Sequence, residues 1–152
     1  MVHKLLIFIH LVGFAAYLGA GFAQQQCMGR SIKNGVAAAV RDEYERLSAS
    51  IVTTIELPSL LVQVATGVTF LVLTPVWLTQ GWLHGKLTCV LALLVLSHLE
   101  MFNARKIVKA RAARGDAASA ELADRKARHR LLGTLGSVVV VLLIGLVAYG
   151  TG

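Results

Sequence analysis

The chain has 152 residues, 56% hydrophobic and 15% charged, with a mean hydropathy of +0.68. A soluble domain carries about 25% charged residues, so this composition excludes an ordinary solvated surface. The net charge of +7 invites a nucleic-acid reading, but four of the 15 Lys and Arg residues lie within 30–46 and nine within 105–130. Lipid headgroups account for such segregation better than nucleic acid does.

The apolar residues gather in four runs, 5–23, 51–78, 87–99 and 131–149. A helix needs about 20 mainly apolar residues to cross a bilayer, and lipid cannot satisfy free backbone groups. The expected fold is therefore all-α: a single integral membrane four-helix bundle spanning 1–152. The spans are predicted at about 4–26, 51–78, 82–102 and 131–150, with a basic helical loop at 103–130. With four spans, both basic segments fall on one side. The positive-inside rule makes that side cytoplasmic and places both termini on the periplasmic face of an inner membrane.

In chain order, residues 1–23 resemble a secretory signal but read as a first span, closed by Gln24-Gln25-Gln26. Residues 31–50 read as a short surface helix. Pro58 should kink the second span. Trp77 and Trp82 suit the outer interface, where aromatic residues collect. Gly115-Asp116 marks the one strong break before an Ala-rich return. Cys27 and Cys89 lie at different depths and should not pair.

Inside the membrane the polar residues are the informative ones. His3, His10, Tyr17 and Gln24 recur every seven residues, nearly two helical turns, and share one stripe. Gly13 and Gly21 lie near that stripe and leave room for a helix or a flat ligand. Glu56, Ser59, Gln63, Thr66 and Gly67 share a face of span two. Lys86, Cys89, Leu93, Ser97 and Glu100 share one of span three. For Ser, Thr, Gln and Cys, interhelical hydrogen bonding explains the pattern. His10 and Lys86 both fall roughly 7–10 Å above the midplane and can share a site. His98 falls roughly 7 Å below it, too far from His10 to ligate the same metal, and is expected beside Glu56, Gln24 and Cys27. Imidazole is a common metal and haem ligand, and bundles hold cofactors between helices.

The segment Gly81-Trp82-Leu83-His84-Gly85-Lys86-Leu87, followed by an apolar run to His98, resembles the HemJ-type protoporphyrinogen oxidases of the wider CopD-like superfamily. Trp82, Leu83, Lys86 and His98 match that family's third-span motif, and His10 its first-span His. Glu45-Arg46, Pro58 and Gly67 match the approach to its second span. The resemblance implies haem b held by His10 and Lys86, with Gly13, Tyr17 and Trp82 around it and His98 as a further metal candidate. It implies oxidation of protoporphyrinogen IX to protoporphyrin IX, porphyrin and an electron acceptor being the partners. The chain departs from the family pattern at Tyr17, at Ala23-Gln24-Gln25-Gln26 and at Arg128-His129-Arg130. Two alternatives stand beside this activity: a haem-binding electron carrier, and a CopD-like transport or structural protein without haem. Small-residue spacings such as Ala16-x-x-x-Ala20 permit a homodimer.

Overall fold

A computed structural model describes residues 1–150, the side chain of Asp116 apart. Helix α1 runs Val2–Arg30, α2 Ala38–Ile51, α3 Leu57–Leu73, α4 Gly81–Arg114 and α5 Ser119–Gly150. The protein is an all-helical integral membrane bundle. Four rods are long and apolar enough to cross a bilayer: α1, the continuous stretch Ala38–Leu73, α4 and α5. Large apolar side chains such as Leu11, Phe22, Val72, Leu91 and Val141 stay exposed on the outer faces. Such an apolar exterior suits lipid and would be untenable in water.

The surface helix expected at 31–50 is continuous with the second span. Residues 52–56 form a π-helical turn that joins α2 to α3, and Leu57 N–H reaches back five residues to Val52 O. Pro58 explains its position. Proline has no N–H to give and its ring crowds the carbonyl four residues earlier, here that of Thr54, so the turn just before it widens. The joined rod buries Glu45, Ser48, Val52, Glu56 and Leu60 along one face.

The break after α4 falls at the predicted place. Gly115 ends the helix with φ of +53°, a conformation that costs a side-chain-bearing residue about 1 kcal/mol or more.

At 1.5 Å per residue, α4 and α5 are about 50 Å long, against roughly 30 Å of hydrocarbon. They therefore overhang the membrane at the basic end of the bundle. There Met28, Ile107, Ala110, Ala118 and Leu122 close a core of their own. A second apolar cluster, Tyr17, Leu60, Leu93 and Val140, fills the middle of the bundle. Between the two lies a polar layer.

Candidate functional site

The polar layer is assembled from all four rods. On α1 the buried face is Gly13, Tyr17, Ala20, Gln24 and Met28, at the steps of three or four that keep one stripe inward. Gln24 is the hub. Its Nε2 donates to Glu100 Oε1 at 2.8 Å, while its Oε1 accepts from Ser48 Oγ at 3.2 Å and lies 2.7 Å from His129 Nε2. Because that oxygen can only accept, His129 Nε2 carries the hydrogen and Nδ1 the lone pair. Gln25 Nε2 also donates to Glu100 Oε1. On the other side Ser97 Oγ donates to Glu56 Oε1 at 3.3 Å, and the Tyr17 hydroxyl lies 3.4 Å from Ser97 Oγ. Glu56, Glu100, Ser97 and Gln24 are all at most 4% exposed, and His129 is 0% exposed.

Two polar atoms of this layer, Glu56 Oε2 and His129 Nδ1, have no hydrogen-bond partner among the described residues. A cavity of about 320 Å³ reaches both carboxyl groups. Gly133 sets its edge against α1, since a Cβ there would collide with the Gln25 side chain. Gly133→Val should therefore push Gln25 off Glu100. We expect a loss of about 1–3 kcal/mol, read as a lower resistance to denaturation in detergent, with Gly136→Val, where a Cβ meets open space, as the mild comparison.

The residues singled out at the other end lie apart from this layer. His10 is half-buried, its Nδ1 2.7 Å from Thr66 Oγ1. Its ring stands edge-on to Phe70 at 6.2 Å, and Phe70 also meets His3 and Trp77. Lys86, on α4, is half-buried as well. Of the two occupants that the size of Gly13 allows, a helix or a flat ligand, it is helix α3 that comes close. A Cβ there would meet Gln63 Cγ at 3.3 Å and Ser59 O at 3.4 Å, so α3 occupies the space. Trp82 packs on the far end of α5, across Gly150, and Tyr17 belongs to the polar layer.

His98 requires a correction. It was expected beside Glu56 and Gln24, but its Nδ1 binds Leu94 O on its own helix at 2.7 Å. Its neighbour Ser97 faces Glu56 instead, and adjacent helical residues point about 100° apart. The histidine of the polar layer is His129, one of the positions where the chain departs from the HemJ-type pattern. Within a basic run it reads as a surface residue. Its signal lay in the steps Leu122, Lys126, His129 and Leu132, which together form the buried face of α5.

Toward the basic end, beyond this layer, Glu45 is fully buried and gripped by two cations. Arg111 donates to it twice, Nε to Oε2 at 3.1 Å and an η-nitrogen to Oε1 at 2.9 Å. Lys126 Nζ lies 2.5 Å from Oε1 and 3.3 Å from Ser31 O. Arg46, the other half of the matched Glu45-Arg46 pair, is surface-exposed and pairs with Asp42. No group of three or more His, Cys, Asp or Glu side chains able to hold a metal occurs among the described residues.

Comparison with known families adds one finding. A family model described as a predicted integral membrane protein, DUF2269, matches residues 4–149. The chain belongs to the DUF2269 family. No curated protein and no solved structure matches it. As a DUF2269 protein it is an integral membrane protein by family as well as by the length and hydropathy of its helices.

Proposed function

We propose that this DUF2269 protein is a haem b-binding redox protein of the inner membrane, in which His10 would hold the haem iron, and that it oxidises protoporphyrinogen IX to protoporphyrin IX. The reading rests on the resemblance of Trp82, Leu83, Lys86, His98 and His10 to the HemJ-type oxidases. One observation of geometry supports it. Thr66 Oγ1 is 2.9 Å from Val62 O and 3.1 Å from Gln63 O as well as 2.7 Å from His10 Nδ1. The hydroxyl has one hydrogen, and its own helix carbonyls take it. Its lone pairs then accept from Nδ1–H, so the free lone pair of His10 sits on Nε2. A ring nitrogen fixed in this way is how proteins aim imidazole at a metal.

The donor set fits a haem in kind: a neutral imidazole nitrogen and, at the same level, a Lys86 ammonium able to pair with a propionate. With α1 and α3 closed together at Gly13, a haem could not sit between those two helices there. One-electron chemistry between a porphyrin precursor and an acceptor is what such a group supplies when bound. Thr66 holds the imidazole orientation, and Phe70 shields its edge. The basic segments, placed by the positive-inside rule, put both termini and the His10 level on the periplasmic side.

Purified protein, oxidised and then reduced, tests this by its absorption spectrum. The wild type should carry a Soret band. His10→Ala should lose it, Thr66→Val should weaken it, and His98→Ala should leave it in place. A colourless wild type, or a Soret band unchanged in His10→Ala, rejects the reading. Complementation of a strain lacking protoporphyrinogen oxidase then separates the oxidase from a haem-binding electron carrier.

A further inference from the structure

Glu56 and Glu100 differ in one respect from the other fully buried acid. Glu45 is matched by Arg111 and Lys126, whereas the side chains bonded to Glu56 and Glu100 are Ser97, Gln24 and Gln25, with His129 at 3.4 Å from Glu100. Glu56 is 2% exposed, yet its Oε2 has no hydrogen-bond partner among the described residues. That atom faces Gly21, 3.9 Å from where a Cβ would stand, and Gly21 lines the 320 Å³ cavity together with both glutamates. Among the residues lining the cavity there is no Lys or Arg.

The shape of the space narrows what could answer this demand. Gly21, Gly133 and Gly136 hollow it out, and its lining includes Phe22 and Val141, which are 69% and 68% exposed on the outside of the bundle. The opening is therefore sideways, into lipid. An inorganic cation needs a close shell of oxygens at about 2–2.6 Å, and a cavity of this volume is instead in the small-molecule range. Carboxylates at the back, Tyr17 and Phe22 on a wall and an aliphatic mouth favour a positive charge on an apolar body. A carboxylate stays ionised in this setting only with a counter-charge beside it, and an ammonium seated at Glu56 Oε2 supplies one.

We propose that this cleft binds a monovalent organic cation, an ammonium on an apolar body, which enters from the membrane and meets Glu56 Oε2. The site is separate from the His10 level and does not depend on the haem reading.

The test uses the full-length protein in lipid nanodiscs with benzyltrimethylammonium as the probe. Neopentylbenzene serves as its uncharged counterpart of the same shape. Calorimetric titration should give saturable binding of the cation and at least tenfold weaker binding of the hydrocarbon. Glu56→Gln keeps the side-chain shape and should weaken cation binding about 10-fold to 100-fold, the value of a charged contact. Gly136→Leu fills the cavity at a position where a Cβ meets open space, leaves both acids in place and should abolish binding. Circular dichroism confirms that each variant is folded. Absence of saturable binding by the wild type, equal binding of the two probes, or binding unaffected by Glu56→Gln and Gly136→Leu overturns the proposal.

Discussion

Replacing Glu45 with Ala should be the most damaging single change outside the membrane core, with an expected loss of about 3–5 kcal/mol. The carboxylate is 0% exposed, and Lys126 and Arg111 have side chains only 8% and 10% exposed. Removing the anion leaves two cations with their shared counter-charge gone, in a place that water cannot reach freely. It also unties three rods at once, since Glu45 belongs to α2, Arg111 to α4 and Lys126 to α5. The measurement is resistance to denaturant in detergent, with yield of folded protein as a second readout. A triple variant, Glu45→Leu, Arg111→Leu and Lys126→Met, should recover most of the loss, because buried ion groups replaced together by apolar ones are often neutral in stability. Recovery in the triple variant locates the damage in the loss of the Glu45 charge and not in the loss of its side-chain volume. A single variant as stable as the wild type would mean that water reaches the cluster and screens it. Asp42→Ala gives the comparison: the Asp42–Arg46 pair is exposed, with Arg46 at 58%, and such pairs contribute about 0–1 kcal/mol.

The four rods were legible because lipid imposes a simple rule on composition. Length and apolarity fix a span, and the Gly115 break needed only a residue that tolerates positive φ. The inward stripe of α1 was legible for the same reason, seven residues being close to two turns: Tyr17 and Gln24 point inward, as their spacing required. What spacing along one helix cannot supply is azimuth relative to another. His98 and Glu56 share a depth, but Ser97, on the polar face with Glu100 that the spacing marks, takes the inward position, while His98, about 100° away on the helix, binds its own backbone. His129 was obscured by its basic neighbours, because charge pattern and burial pattern conflict at the end of an overhanging helix. The π-turn was hidden too. Pro58 announces a disturbance, but whether the chain bends or widens depends on what packs against it. Tyr17, Gln24, Gln25 and His129 build the polar layer together with Ser48, Glu56, Ser97 and Glu100, and these residues are far apart in the sequence and neighbours only in the folded bundle.

That layer makes a second large effect predictable, at Glu100. Its Oε1 accepts from the side-chain amides of Gln24 and Gln25, so Glu100→Leu should deprive two donors at once, the buried Gln24 Nε2 and the half-buried Gln25 Nε2, which keeps only a long contact to His129 O at 3.5 Å. Individual interhelical hydrogen bonds in membranes average about 0.6 kcal/mol, but an orphaned buried donor costs about 1–3 kcal/mol. With two donors affected, a loss of about 2–4 kcal/mol is expected. Glu100→Gln, which keeps an acceptor oxygen, should lose less than half as much. Gln25→Leu combined with Glu100→Leu should be more stable than Glu100→Leu alone, since removing both partners of a bond leaves nothing unpaired between them. Gln24 does not offer the same relief, because its oxygen also serves Ser48 and His129. Gln24→Leu with Glu100→Leu should therefore be no better than the single variant. Denaturation of the four proteins in one detergent tests the ordering. If the Gln25 and Gln24 double variants behave alike, the layer is a set of independent contacts and Gln24 is not its hub.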